Sequence, residues 1–234
     1  MQTKHTSTQF DAQLEQVRAE VLRMGGAVED QLALAVRALQ SGQMYLVERV
    51  LDAEHQVNAM QIEIDELCTN IIARRTPTAI DLRVLTMVVK TVTDLERVGD
   101  EAKKIALMAR EFHRAGRGHM PRYPEIERMS ALVIDMLRHA LDGFARLDAD
   151  AAPEIARRDL AVDDSFRGVL RELLTYMIED PRTISATLDI VFIAKALERA
   201  GDHAKNISEY VVYMIMGKDV RHLSTEELER AVKS

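Results

Sequence analysis

Leu95-Glu-Arg-Val-Gly-Asp-Glu-Ala-Lys-Lys-Ile105 returns as Leu197-Glu-Arg-Ala-Gly-Asp-His-Ala-Lys-Asn-Ile207. The two stretches lie 102 positions apart, and each sets a glutamate and an aspartate four residues apart, Glu96 with Asp100 and Glu198 with Asp202. On a helix that spacing puts both carboxylates on one face. The shared pattern reads as one unit built twice.

The repeat extends well beyond this motif. Shifted by 105, Met24, Val28, Asp30, Leu32 and Ala35 meet Met129, Val133, Asp135, Leu137 and Ala140. Val50, Glu54, Val57 and Ile64 meet Ile155, Asp159, Val162 and Val169 at the same shift. The offset falls to 104 at Pro77 and Pro181 and to 102 in the final motif, which places a small deletion in and after one turn.

Apolar residues recur at steps of three and four between breaks, and the five prolines fall at junctions. Proline disrupts a helix interior but suits its first turn. The pattern predicts helices over 8–41, 43–75, 78–115, 122–148, 152–179 and 182–217, and no stretch alternates with the period of a strand. Ser224 and Glu227 are spaced as a capping box for a short tail helix. The predicted fold is all-α: two antiparallel three-helix bundles in tandem, 1–117 and 118–217, with a tail over 218–234. The Gly116-Arg-Gly-His-Met-Pro121 segment is the expected seam between them.

Composition narrows the function. The 234 residues are 47% hydrophobic, enough for a sizeable core, and the formal charge of −7 argues against a nucleic-acid partner. The single cysteine, Cys68, sits in an apolar stripe and reads as core. The twelve methionines read the same way. The amino-terminal residues carry no apolar signal stretch and no run is long enough to span a membrane, so a soluble, cytoplasmic protein is expected.

Two sets of residues break the helical logic. In the second predicted helix the stripe Val47, Val50, Val57, Ile64, Cys68 is interrupted by Glu54; in the fifth, Asp159 interrupts at the matched position. One turn on, Asn58 and Asp163 also match. A buried ionised carboxylate is costly without a partner, so these acids should be paired, exposed or metal-bound. In the third and sixth helices, like charges at i and i+4 and a central glycine (Gly99, Gly201) weaken an isolated helix by a few tenths to about 1 kcal/mol. Three explanations compete. Glycine can admit a close neighbour while the acids form a solvated face, neutralised by Lys103, Lys104 and Lys205. The acids can form an oxygen-rich cage for a hard cation or iron. They can serve acid–base catalysis, although no other feature of a substrate site accompanies them. His55 and His203 adjoin the acids without counterparts in the other half, and no Glu-x-x-His occurs.

The doubled Leu-Glu-Arg-x-Gly-Asp-x-Ala-Lys-x-Ile motif, with Leu82-Arg-Val-Leu85 and the Tyr176–Ile184 turn, resembles the PhoU family of phosphate-specific transport accessory proteins over nearly the whole chain. That resemblance implies a cytoplasmic negative regulator of the phosphate-starvation response, involved in phosphate homeostasis. Its implied partners are the ATPase subunit of the phosphate ABC transporter and a sensor histidine kinase, with membrane association only through them; a homodimer is expected because such extended bundles expose much surface. It also implies no catalysis, and metal binding (multinuclear iron, or manganese, magnesium or zinc) through Glu/Asp-x-x-x-Asp motifs. The metal ligands it points to are Glu54, Asn58, Glu96 and Asp100 in one half and Asp159, Asp163, Glu198 and Asp202 in the other. Asn58 departs from the motif, so the second site is expected to be the tighter. The alternatives are a metal-dependent carboxylate-site enzyme and a metal-storage bundle.

Overall fold

The computed structural model describes residues 8–114 and 124–233. Among them run α1 (Thr8–Ser41), α2 (Met44–Arg75), α3 (Ala79–Arg114), α4 (Pro124–Arg146), α5 (Ala152–Glu179), α6 (Ile184–Met216) and α7 (Thr225–Lys233), with a single 3₁₀ turn at Pro181–Thr183 and no strand. The all-α expectation and its six long helices hold. The seam predicted at 116–121 lies outside the described residues.

The helix ends follow local chemistry. Gly42, at φ +67°, takes the left-handed position that closes α1, and its N–H donates to Ala38 O at 2.9 Å. A side chain there would also meet the His113 ring at 2.8 Å, because the end of α3 packs on this turn. The fourth helix stops at Arg146, two residues short of the predicted 148. Leu147 turns to φ +51°, and Asp148 N–H donates back to Gly143 O at 2.9 Å. The sixth helix starts at Ile184 rather than 182, since Pro181–Thr183 form the 3₁₀ turn, capped when Asp180 accepts from Arg182 N–H. The capping box is present in both directions, Glu227 N–H to Ser224 Oγ at 3.3 Å and Ser224 N–H to Glu227 Oε2 at 2.8 Å.

One apolar core runs through all six long helices. The first half contributes Val21, Met24, Leu32, Val57, Leu95 and Ile105, and the second Met129, Val133, Leu137, Val162, Leu197 and Ile207, all essentially inaccessible to solvent. Cys68 is buried among them, and burial pushes its thiol up to about 12, so it behaves as an apolar filler. Helix α3 packs extensively on α6, which sets the two repeated motifs side by side at the centre of the molecule. No helix is long and apolar enough to cross a membrane.

The α3–α6 contact is partly polar. Asp94, nearly buried, accepts from the His203 ring at 2.6 Å and from Asn206 Nδ2 at 3.4 Å. Glu101, 2% exposed, meets Arg199 at 3.2 Å and Lys104 at 2.9 Å. His203 therefore bridges the halves through Asp94, a role its position beside Asp202 did not announce.

Candidate functional site: two matched acidic clusters

Glu54 and Asp159, the acids that interrupt the apolar stripes, are 2% and 4% exposed. Each has found a cation on the helix opposite. Lys103 Nζ of α3 lies 3.5 Å from Glu54 Oε1, and Lys205 Nζ of α6 lies 2.8 Å from Asp159 Oδ2. The two lysines thus reach across to α2 and α5, whereas Lys104 pairs along its own helix, with Glu101. This is the resolution the burial cost requires: a carboxylate taken from water keeps its charge only beside a fixed positive group or donor.

The halves then diverge. In the first, Gln31 of α1 is fully buried and donates through Nε2 to Glu54 Oε2 at 3.0 Å, with weaker reaches to Gly99 O and Val50 O. Asn58 Nδ2 donates to the other oxygen, Glu54 Oε1, at 3.4 Å. In the second half the residue matched to Gln31 is Met136, wholly apolar and buried. The shorter Asp159 is therefore left with Lys205 as its close partner. Sequence reasoning passed over Gln31, although its signal was the one that exposed Glu54: a polar residue inside the stripe Met24, Val28, Leu32, Ala35.

This divergence explains one of the two motif glycines. A methyl group on Gly99 would stand 2.9 Å from Gln31 Oε1 and 3.4 Å from Glu54 Oε2, so the glycine makes room for the buried polar pair. A methyl on Gly201 would meet Val133, Met136 and Val162 at 3.6–3.7 Å, ordinary contact distance. We expect Gly99→Ala to destabilise by about 1–3 kcal/mol as Gln31 is forced off its acceptors. Gly201→Ala should be neutral or stabilising by up to about 1 kcal/mol through helix propensity. Urea unfolding of the two variants checks this; equal effects would show that the glycines do the same work.

The remaining acids complete each cluster. Glu96 is raised above the ordinary carboxylate range, first by burial, then by the charges of Asp100 and Glu54, with Arg97 and His203 opposing. In the second cluster Asp159 is raised by burial and held down by its Lys205 hydrogen bond, with Asp163 and Glu198 pushing upward. Asp202 is raised to about 6, chiefly by desolvation and then by Asp159, Glu198 and Asp163. All eight residues named from the motif are thus assembled as two groups of four in which acids feel one another. Lys195 binds both oxygens of Glu198 at 2.5 Å, and Arg167 lies 3.8 Å from Asp163.

The donor set is all oxygen, which suits a hard cation. Asn58 Oδ1 is buried without a donor, and lysine ammonium groups already occupy the place of a positive ion beside Glu54 and Asp159. Among the described residues no three His, Cys, Asp or Glu side chains converge as they stand on a single ion position. A bound ion therefore requires the lysines to swing out and the carboxylates to close in.

Six long helices built as a duplicated unit, with a matched acidic cluster in each half, define the class: an all-α protein of tandem helical repeats. The PhoU domain family model matches residues 21–109 and 126–211, one copy per half, and the chain belongs to the PhoU family. It is 46% identical over 232 residues to the phosphate-specific transport system accessory protein PhoU homolog of Pseudomonas putida, covering 99% of this chain and 90% of that one. The corresponding protein of Escherichia coli K12 is 43% identical over 227 residues, at 97% and 93% coverage. The crystal structure of PhoU from Pseudomonas aeruginosa superposes with a TM-score of 0.86 at 46% identity, covering 89% of this chain and 100% of that one. The phosphate transport system regulatory protein PhoU from Streptococcus pneumoniae gives 0.82 at 26% identity, with 90% and 99% covered.

Proposed function

We propose that this protein is a negative regulator of the phosphate-starvation response. It acts as a non-catalytic cytoplasmic adaptor between the ATPase subunit of a phosphate ABC transporter and a sensor histidine kinase, and works as a homodimer. The observation that carries the reading is family membership across essentially the full length of relatives named as phosphate-specific transport accessory proteins. The two acidic clusters are the proposed regulatory surface. Glu54, Asn58, Glu96 and Asp100 would hold one hard cation, and Asp159, Asp163, Glu198 and Asp202 another. Such an ion would supply fixed positive charge and rigidity at the bundle surface. An all-oxygen set favours magnesium, manganese or iron over the nitrogen- and sulfur-seeking zinc.

The test is a phosphate-starvation reporter in phosphate-rich cells whose only copy carries Glu96, Asp100, Glu198 and Asp202 changed to alanine. We expect the wild type to silence the reporter and the accumulated variant to leave it on. A gene deletion that leaves the reporter unchanged would end the regulator reading, and the enzyme and storage alternatives would replace it. The clusters should also differ in affinity. The second carries four carboxylates and the first three, so Asp202→Ala should remove more bound manganese than Asn58→Ala in an equilibrium titration. Equal losses would sink the asymmetry.

A further inference from the structure

A row of side chains that is polar in one half is apolar in the other. Along α5, at four-residue spacing, stand Phe166, Leu170, Leu174 and Ile178; the matched row on α2 is Gln61, Asp65, Thr69 and Ala73. At four-residue spacing one row of a helix lies along one face, so all four replacements concern the same surface. Leu174 is 47% exposed and Ile178 81%, so the row is not absorbed into the core.

The neighbouring helix continues it. Lys195 Nζ stands over the Phe166 ring at 5.4 Å, and Lys205 meets Asp159, which fixes the antiparallel register of α5 and α6. That register brings Leu188 level with Leu174 and Ile184 level with Ile178, and both α6 residues are 41% exposed. Their counterparts on α3 are Thr86 and Leu82. From Phe166 to Ile178 the strip extends about 18 Å at the helical rise. Exposed large apolar groups scattered singly are normal, and the first half shows some at Ile72, Ile80 and Leu82, but a full row of large apolar residues on α5 where the matched α2 row is Gln, Asp, Thr and Ala marks a binding face.

The strip runs directly into charge. Lys195, over Phe166, is bonded to Glu198, and Asp163 lies one turn beyond Phe166 on α5, followed by Asp159 and Asp202. The α5–α6 surface is therefore apolar for its hairpin half and acidic for the other. We propose that it docks an amphipathic helix of a partner protein, with aliphatic anchors at one end for the Leu170–Leu188 strip and a basic cluster at the other for Asp163, Glu198 and Asp202. Helix-in-groove recognition uses anchors at such spacing, and the charged end fixes which way round the helix lies. A basic residue on the incoming helix would take over the contact that Lys195 makes with Glu198, freeing Lys195 to solvent. A second copy of this chain is a poorer occupant, since strip against strip would bring the two acidic ends of an antiparallel pair onto apolar surface.

This inference rests on the adaptor reading only in requiring a protein partner; it names the surface and the chemistry of the segment. Its test is independent of the reporter. A fluorescein-labelled helical peptide of about 20 residues, with leucines on one face of its first three turns and lysines on that face of its last two, is titrated with the full chain in chelator and followed by anisotropy. We expect micromolar binding, weakened roughly tenfold or more by Leu174→Ser with Leu188→Ser, and weakened likewise when the peptide lysines become glutamates. The substituted leucines are exposed, and matching thermal melts confirm that the variant is folded. Failure of the wild type to bind, or equal binding by the serine variant, overturns the proposal. So does sedimentation showing that the wild type dimerises through this face while the serine variant is monomeric. A reporter still silenced beside failed peptide binding would remove this surface and leave the adaptor reading standing.

Discussion

Replacing Lys205 with methionine should destabilise the protein by roughly 2–3 kcal/mol at neutral pH, while Lys103→Met should cost about 1 kcal/mol or less. The difference follows from what each buried acid retains. Asp159 is 4% exposed, its closest donor is the Lys205 ammonium at 2.8 Å, and the charges of Asp163, Glu198, Asp202 and Glu209 act on it or with it. Its matched position for a second donor holds Met136. Glu54 keeps Gln31 and Asn58 after Lys103 is removed, and Lys103 is the longer and more exposed contact at 3.5 Å. Breaking a buried pair by deleting one partner strands the other, which is the expensive direction.

Three controls separate charge from packing. Asp159→Asn in the Lys205→Met background should restore most of the loss, because it removes the stranded charge. Lowering the pH should narrow the gap between wild type and Lys205→Met, since Asp159 then takes up a proton and no longer needs a cation. Millimolar manganese should raise the melting temperature of Lys205→Met more than that of wild type, an ion replacing the missing ammonium. A Lys205→Met variant as stable as wild type in urea at pH 7 would show that Asp159 is satisfied by solvent.

Much of this was legible from spacing alone. The stripe-and-breaker pattern marked the long helices because proline and period-three-and-four apolar residues act locally. The errors sit where local signals compete. Leu147, an ordinary residue at positive φ, ends α4 without a glycine or proline to announce it. The acids at Glu54 and Asp159 were visible as interruptions, whereas the set of eight came from the family resemblance. What could not be read was pairing across helices. That Lys103 and Lys205 reach α2 and α5 rather than their own helix depends on the register between helices. That His203 and Arg199 bind Asp94 and Glu101 depends on how the halves pack. Gln31 was readable and missed; its match to Met136 is what makes the clusters unequal.

The second large effect concerns Glu209, one turn past Lys205 on α6 and only 6% exposed. Burial raises its carboxyl to about 7, with Asp159 and Asp219 adding to the shift and Lys205 and Arg221 opposing it. It lines a recess of about 230 Å³ with Lys90, Tyr210 and Arg221. The folded pKa lies above the unfolded value of about 4.5, so the folded state binds the extra proton between those values. Stability from this group is therefore full below about pH 4.5, falls as pH rises, and is lost by about pH 7. A glutamine mimics the protonated form at every pH. Glu209→Gln should match wild type near pH 4.5 and exceed it by about 2 kcal/mol at pH 8, a gap opening through the titration window. Urea unfolding across that range reads it directly. A constant offset between the two proteins, or a wild type that gains on the variant as pH rises, would mean that Glu209 ionises freely in the fold. Asp159 shifts in the same direction, since burial raises it too; the difference is that Lys205 hydrogen-bonds Asp159 and opposes the shift at Glu209 through its charge alone.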